Sequence, residues 1–105
     1  MAKSTISGAS SRSLLVLTSL AGGAKHGYAL VQDIVAFSGV KLGPGTLYGC
    51  LGSLERAGLV AALPVDDRRR PYQITAPGLV ALQQALQESA RLAELGLTRI
   101  AGALP

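Results

Sequence analysis

The stretch Pro44-Gly45-Thr46-Leu47-Tyr48-Gly49-Cys50-Leu51-Gly52-Ser53-Leu54-Glu55-Arg56 decides the fold. Proline suits the first turn of a helix, because the N–H it lacks would have no partner there. Leu47, Leu51 and Leu54 recur at i, i+4 and i+7, which predicts one inward face. Thr46, Tyr48, Gly49, Gly52, Ser53, Glu55 and Arg56 fall mainly on the other faces. Ala57-Gly58 then predicts the stop. The segment therefore reads as a short helix, entered through a Gly/Pro turn, with an apolar underside and small or polar residues outward.

Downstream, Leu59 to Val65 reads as a short strand ending at the turn signal Asp66-Asp67. Pro71-Tyr72-Gln73-Ile74-Thr75 alternates well enough to pair with it, and Arg68-Arg69-Arg70 sits at the tip or on the second arm. Pro71 cannot donate to a central ladder, so an edge position is expected. Thr75 can cap a final helix with Pro77 in its first turn. Along it Leu79, Leu82, Leu86, Ala90, Ala93, Leu97, Ile100 and Leu104 are spaced by three or four, and Leu92 and Leu95 broaden the stripe. A 28-residue helix spans about 42 Å at 1.5 Å per residue, longer than a small core can cover. Part of the stripe needs another partner.

Upstream, a helix is expected from about Gly27 to Phe37, with Tyr28, Val31, Ile34 and Val35 as its apolar stripe and Ser38-Gly39 as its stop. An earlier one is expected from about Ser13 to Leu20, with Leu14, Leu17 and Leu20 inward and Gly22-Gly23 ending it. Residues 1–11 are Ser-rich and poor in apolar groups, which reads as a mobile arm.

The bulk numbers agree with one small, mainly helical domain. The chain has 105 residues, 49% of them apolar but only 4% aromatic, which favours Leu/Ala/Val packing over an all-β sandwich. The net charge of +4 is uneven: residues 1–75 hold eight Lys/Arg against four Asp/Glu, whereas residues 76–105 hold two of each. The first three-quarters suit a polyanion. One Cys excludes an intrachain disulfide, and Cys50 with His26 alone makes a structural zinc site untenable, so neither metal nor cofactor is expected. Lys3 and Arg12 ahead of Leu14-Leu15-Val16-Leu17, with Ala21-Gly22-Gly23-Ala24 behind, imitate a secretory signal. Thr18 and Ser19 interrupt the run, and it completes a helical core pattern, so a cytoplasmic protein without a membrane span is expected.

Helix–helix–helix–hairpin–helix is the order of a winged helix-turn-helix: mainly α with a small β-hairpin, followed here by a long C-terminal dimerisation helix. The third helix can enter a major groove with its N-terminal N–H groups toward phosphate. The three consecutive Arg can reach the backbone or the adjacent minor groove.

The residues His26-Gly27-Tyr28, Pro44-Gly45-Thr46-Leu47-Tyr48, Leu51, Leu54, Glu55, Gly58-Leu59-Val60, Arg70-Pro71-Tyr72-Gln73-Ile74-Thr75 and Gly78 make the chain resemble the PadR family of bacterial transcriptional regulators over about residues 13–80. The single last helix resembles the family's short members. The resemblance implies a homodimer built chiefly through that helix with support from the first. It also implies repression of a target operon, released by a small lipophilic or aromatic effector. Two departures stand out. Gly49 occupies the place where family members often carry Pro, and Gly52 and Ser53 stand where they often carry Lys or Arg. Arg or Lys to guanine is a common base contact, so direct readout is weakened here. The absence of Trp removes the ligand mode in which flat molecules stack between Trp residues.

These readings assign residues 1–12 to an arm, 13–75 to a DNA-binding domain and 76–105 to the dimerisation helix. The DNA-binding residues are Tyr28, Pro44, Gly45, Thr46, Tyr48, Ser53, Arg56, Arg68, Arg69 and Arg70; the dimer-interface residues are Leu82, Leu86, Ala90, Ala93, Leu97 and Ile100. Tyr28 is divided between packing and phosphate contact. His26 reads as a capping or packing residue, with a sensor role as the alternative, and Cys50 as a buried inert thiol rather than a redox switch. Catalysis is not expected, because a nucleophile–base–orienter set needs more than His26. The competing function is a winged-helix protein–protein interaction module that does not bind specific DNA.

Overall fold

The computed structural model describes residues 11–105. Four helices and a small sheet follow in the order α1 (Ser11–Ala21), β1 (Lys25–His26), α2 (Gly27–Ser38), α3 (Pro44–Arg56), β2 (Val60–Ala62), β3 (Pro71–Ile74) and α4 (Ala76–Ala103). Residues 1–10 of the expected arm lie outside the described residues, while Ser11 and Arg12 already belong to α1.

The core is aliphatic and sits where α1, α2 and α3 meet the sheet and the start of α4. Val16, Leu17 and Leu20 of α1, Leu47, Leu51 and Leu54 of α3, and Leu59 and Val60 are buried together. The spacing in α3 is therefore read correctly from the sequence. In α2 the expected stripe is out of phase. Gly27, Leu30 and Ile34 face the core, whereas Tyr28 and Val35 are exposed and Val31 is only partly covered. The helix is apolar on several sides, so periodicity alone could not select the buried one.

The sheet has three strands in the order β1-β3-β2, all antiparallel, rather than the two expected. A two-residue β1 pairs Lys25 with Tyr72 and His26 with Pro71. Pro71 is thus on the central strand, not at an edge. It is tolerated because it is the first residue of β3, where a missing donor breaks little of the ladder. β2 covers only Val60–Ala62, shorter than the apolar run suggests.

Two close approaches fix the helices. The first turn of α4 lies against the chain entering β2, and a Cβ on Gly78 would overlap the Leu59 carbonyl. Thr75 locks the same joint. Its Oγ1 accepts from the Gly78 N–H at 3.0 Å and donates to the Gly58 carbonyl at 2.7 Å, the capping role that Ser, Thr, Asn and Asp favour. On the other side, a Cβ on Gly27 would run into the hydroxyl and Cζ of Tyr48, so α3 sets the hydroxyl end of its tyrosine against the first residue of α2.

A polar tie holds α1 to α2. Ser19 is 2% exposed and donates to Asp33 Oδ2 at 2.6 Å, while Lys25 Nζ donates to the Ser19 carbonyl at 2.5 Å and lies 3.9 Å from Asp33 Oδ2.

α4 divides along its length. Gly78, Ala81, Leu82 and Ala85 face the core, and no residue from Leu86 to the end is buried. Leu82 was expected at the interface, yet it is 5% exposed and belongs to the chain's own core. The rest of the stripe—Leu86, Ala90, Ala93, Leu97 and Ile100—lies open on a helix that contributes to a body 58 Å long.

Candidate nucleic-acid interface

The N-terminus of α3 is presented bare. Its N-cap is Gly43, which offers no side chain to the first-turn N–H groups, and Pro44 fills the first helical position. Gly45, Thr46 and Gly49 are exposed, and none of the described residues comes within 4 Å of a Cβ built on Gly45 or Gly49. Backbone N–H groups and short side chains therefore form the outer surface of this helix end. The helix dipole adds a partial positive charge there.

Two concavities flank this end. The first, of about 230 Å³, is lined by His26, Gly27, Tyr28, Tyr48, Arg68, Arg69 and Arg70. The second, of about 310 Å³, is lined by Arg12, Ser13, Gly45, Thr46, Gly49, Cys50 and Ser53. The expected DNA-binding residues thus separate into a tyrosine/arginine group on the wing side and a small polar group on the α1 side. Arg56 is at the far end of α3, where its Nη2 donates to Ser53 Oγ at 3.3 Å.

On the wing side, Tyr28 is 66% exposed and Tyr48 51%, so neither is a core tyrosine. Tyr28 Oη accepts from Gln32 Nε2 at 3.1 Å and keeps its own proton to donate. The wing turn is closed by paired backbone bonds between Asp66 and Arg69, at 2.7 and 2.9 Å. Its two central residues, Asp67 and Arg68, both take positive φ, 52° and 66°. That is the geometry of a type I′ hairpin turn, in which Asn-Gly or Asp-Gly is preferred. Arg70 Nη1 donates across the hairpin to the Leu63 carbonyl at 2.8 Å, and Arg69 Nη1 lies 2.9 Å from His26 Nε2. Arg69 and Arg70 therefore brace the wing as well as charging it. Arg68 stands at its tip.

Four contributors escaped the sequence reading. His26 stands at the N-cap position of α2, where its Nδ1 lies 3.5 Å from the Ala29 nitrogen, and its Nε2 reaches Arg69 of the wing. Arg12 and Ser13 join the second concavity because α1 starts two residues earlier than the apolar pattern indicated. Cys50 is half-buried rather than buried, with Sγ 3.7 Å from Ser13 Oγ. No group of three or more His, Cys, Asp or Glu is placed to hold a metal among the described residues, and no helix among them is long and apolar enough to cross a membrane.

The transcriptional regulator PadR-like family matches residues 16–84, about two-thirds of the chain. The chain belongs to the PadR-like family of transcriptional regulators. An uncharacterized 37.1 kDa protein of a Streptomyces fradiae transposon is 44% identical over 79 residues, 75% of this chain; the chain spans only 23% of that protein's length. A PadR family transcriptional regulator from Eggerthella lenta is 29% identical at a TM-score of 0.71, with 85% of this chain and 80% of that one covered. A PadR family transcription regulator from Clostridium difficile superposes at a TM-score of 0.79 over 87% of this chain and 99% of the other. At 20% identity it shows the fold alone. The PadR fold therefore holds for this chain. The family is one of transcription regulators, not of enzymes.

Proposed function

We propose that this PadR-like protein is a ligand-responsive repressor that binds a near-palindromic operator as a homodimer. The observation that carries the DNA contact is Arg68. A non-glycine residue with positive φ costs about 1–2 kcal/mol, and glycine would remove most of that cost. Arginine at the wing tip is held against its backbone preference, and such outliers collect at functional positions. The wing charges and the Tyr28 and Tyr48 hydroxyls contact backbone phosphates, and the open end of α3 enters the major groove with Pro44, Gly45 and Thr46 leading. With Ser53 and Arg56 paired to each other, sequence preference rests more on Thr46 and DNA shape than on bidentate base contacts.

The uncovered stripe of α4 supports the dimer. Leu86, Ala90, Ala93, Leu97 and Ile100 are buried by none of the described residues, and a second copy would cover them. Two α3 helices would then reach successive major grooves about 34 Å apart. The groove of Leu79, Leu82, Gln83, Leu86, Gln87 and Ala90, which shares Leu86 and Ala90 with this stripe, suits a small lipophilic or aromatic effector at the subunit junction.

The test is DNA binding against salt concentration with footprinting on selected genomic fragments. Two-fold protection and a log–log salt slope of about −0.9 per neutralised phosphate are expected. Replacing Arg68, Arg69 and Arg70 together by Ala should weaken all sequences about equally and flatten the slope. Salt-insensitive or absent binding to any duplex would instead favour a protein–protein module.

A further inference from the structure

His26 is the chain's single histidine, and two donors face its two ring nitrogens. The Ala29 backbone N–H lies 3.5 Å from Nδ1, and the Arg69 guanidinium lies 2.9 Å from Nε2. A neutral imidazole has one acceptor nitrogen and one N–H. It can satisfy only one of these donors. The shorter contact assigns the lone pair to Nε2, which leaves Nδ1–H opposite the Ala29 N–H at the limit of hydrogen-bonding distance. A protonated ring has no acceptor at all, and its Nε2–H would then oppose the Arg69 guanidinium directly. In the free protein Arg69 is folded onto the ring.

The surroundings favour an anion between those two groups. The cavity beside them is lined by the hydroxyl-bearing Tyr28 and Tyr48 and by Arg68, Arg69 and Arg70, and no carboxylate among the described residues lines it. From β1, Lys25 is turned away, its Nζ bound to the Ser19 and Gly23 carbonyls beside Asp33. Across the sheet Tyr72 pairs with Lys25, and the wing carboxylates Asp66 and Asp67 are outside the lining.

We propose that His26 is itself a DNA ligand: a backbone phosphate enters between Nε2 and Arg69, the ring takes one proton from solvent at Nε2, and both groups then donate to the phosphate. This deepens the DNA-binding reading and rests on it. The lone pair that accepted from Arg69 becomes the new N–H bond, and the freed guanidinium N–H turns to a phosphate oxygen. DNA binding and proton uptake are then linked, up to one proton per protomer.

The test uses the whole chain and a mixed-sequence duplex of about 30 base pairs, with affinity measured by fluorescence anisotropy from pH 5.5 to 8.5 at fixed ionic strength. If the complex raises the midpoint of the ring by about one pH unit, binding is about tenfold tighter per protomer at the acid end. His26→Asn retains a capping side chain but cannot be protonated, so its affinity is expected to be flat by comparison. The lone histidine also gives a single ring-proton NMR titration, whose midpoint should move upward when duplex is added. Wild type binding equally at both ends of the range, an H26N profile that tracks the wild type, or an NMR midpoint unmoved by DNA overturns the proposal. Failure of the wild type to bind the duplex at any pH overturns the DNA-binding reading beneath it.

Discussion

Replacing Arg68 by glycine should make the protein more stable and a worse DNA binder. Arg68 occupies the second central position of the wing turn at φ 66°, next to Asp67 at φ 52°. A side chain in this region costs about 1–2 kcal/mol, and glycine gives back about 0.5–1 kcal/mol of that through its freer unfolded chain. The net gain is about 0.5–1 kcal/mol. The substitution removes no hydrogen bond, because the turn is closed by Asp66 and Arg69 and the hairpin by Arg70 to Leu63. For a chain of this size a 1 kcal/mol gain corresponds to about 4–8 °C in Tm. Thermal melts at one fixed protein concentration measure it. The DNA arm of the experiment is a salt titration: losing one phosphate contact per protomer should reduce the magnitude of the log–log slope by about 0.9 per bound protomer. A lower Tm for R68G would refute the backbone argument. An unchanged salt slope would refute the role of Arg68 as a phosphate contact, whatever happened to stability.

Three further outcomes follow from the packing. Gly78→Ala drives a methyl into the Leu59 carbonyl, so chemical denaturation should show a loss of about 2 kcal/mol or more, in the range of overpacked cores. Gly27→Ala meets the movable Tyr48 side chain instead of backbone; the fold should survive while DNA affinity falls, as binding assays alongside circular dichroism will show. Leu97→Glu combined with Ile100→Glu places charges on the uncovered stripe. On the proposed dimer, sedimentation should find monomers for this variant and dimers for the unaltered protein, and DNA affinity should drop with the loss of the second half-site.

The element order, the inward face of α3, the Thr75 cap and the length of α4 were legible in the sequence, because each rests on local spacing or on a residue with one strong backbone role. The phase of α2 was not. Tyr28, Val31, Leu30, Ile34 and Val35 make it apolar on several sides, and only tertiary packing selects Leu30 and Ile34. The third strand was missed because two residues, Lys25 and His26, carry no pattern of their own and become a strand only by pairing with β3. For the same reason Pro71 was placed at an edge. In the candidate site, the arginine run and the two tyrosines were visible as residue types. His26 and Arg12 were not, since their place in the site comes from a hairpin folding back and from the true start of α1.

The outer two-thirds of α4 carries a consequence for how the protein is made. From Leu86 onward the helix has no core to lean on, and it contains Gly96 and Gly102. Peptides of such length and composition are marginal helices in water. Coiling of this rod and capture of its twin should therefore be one event, so a dilute solution loses ellipticity at 222 nm as subunits separate, while the globular head keeps its own signal. With the proposed dimer, a freshly synthesised copy would carry a frayed tail until it met another, and the cell's supply of competent regulator would rise more steeply than its supply of chains.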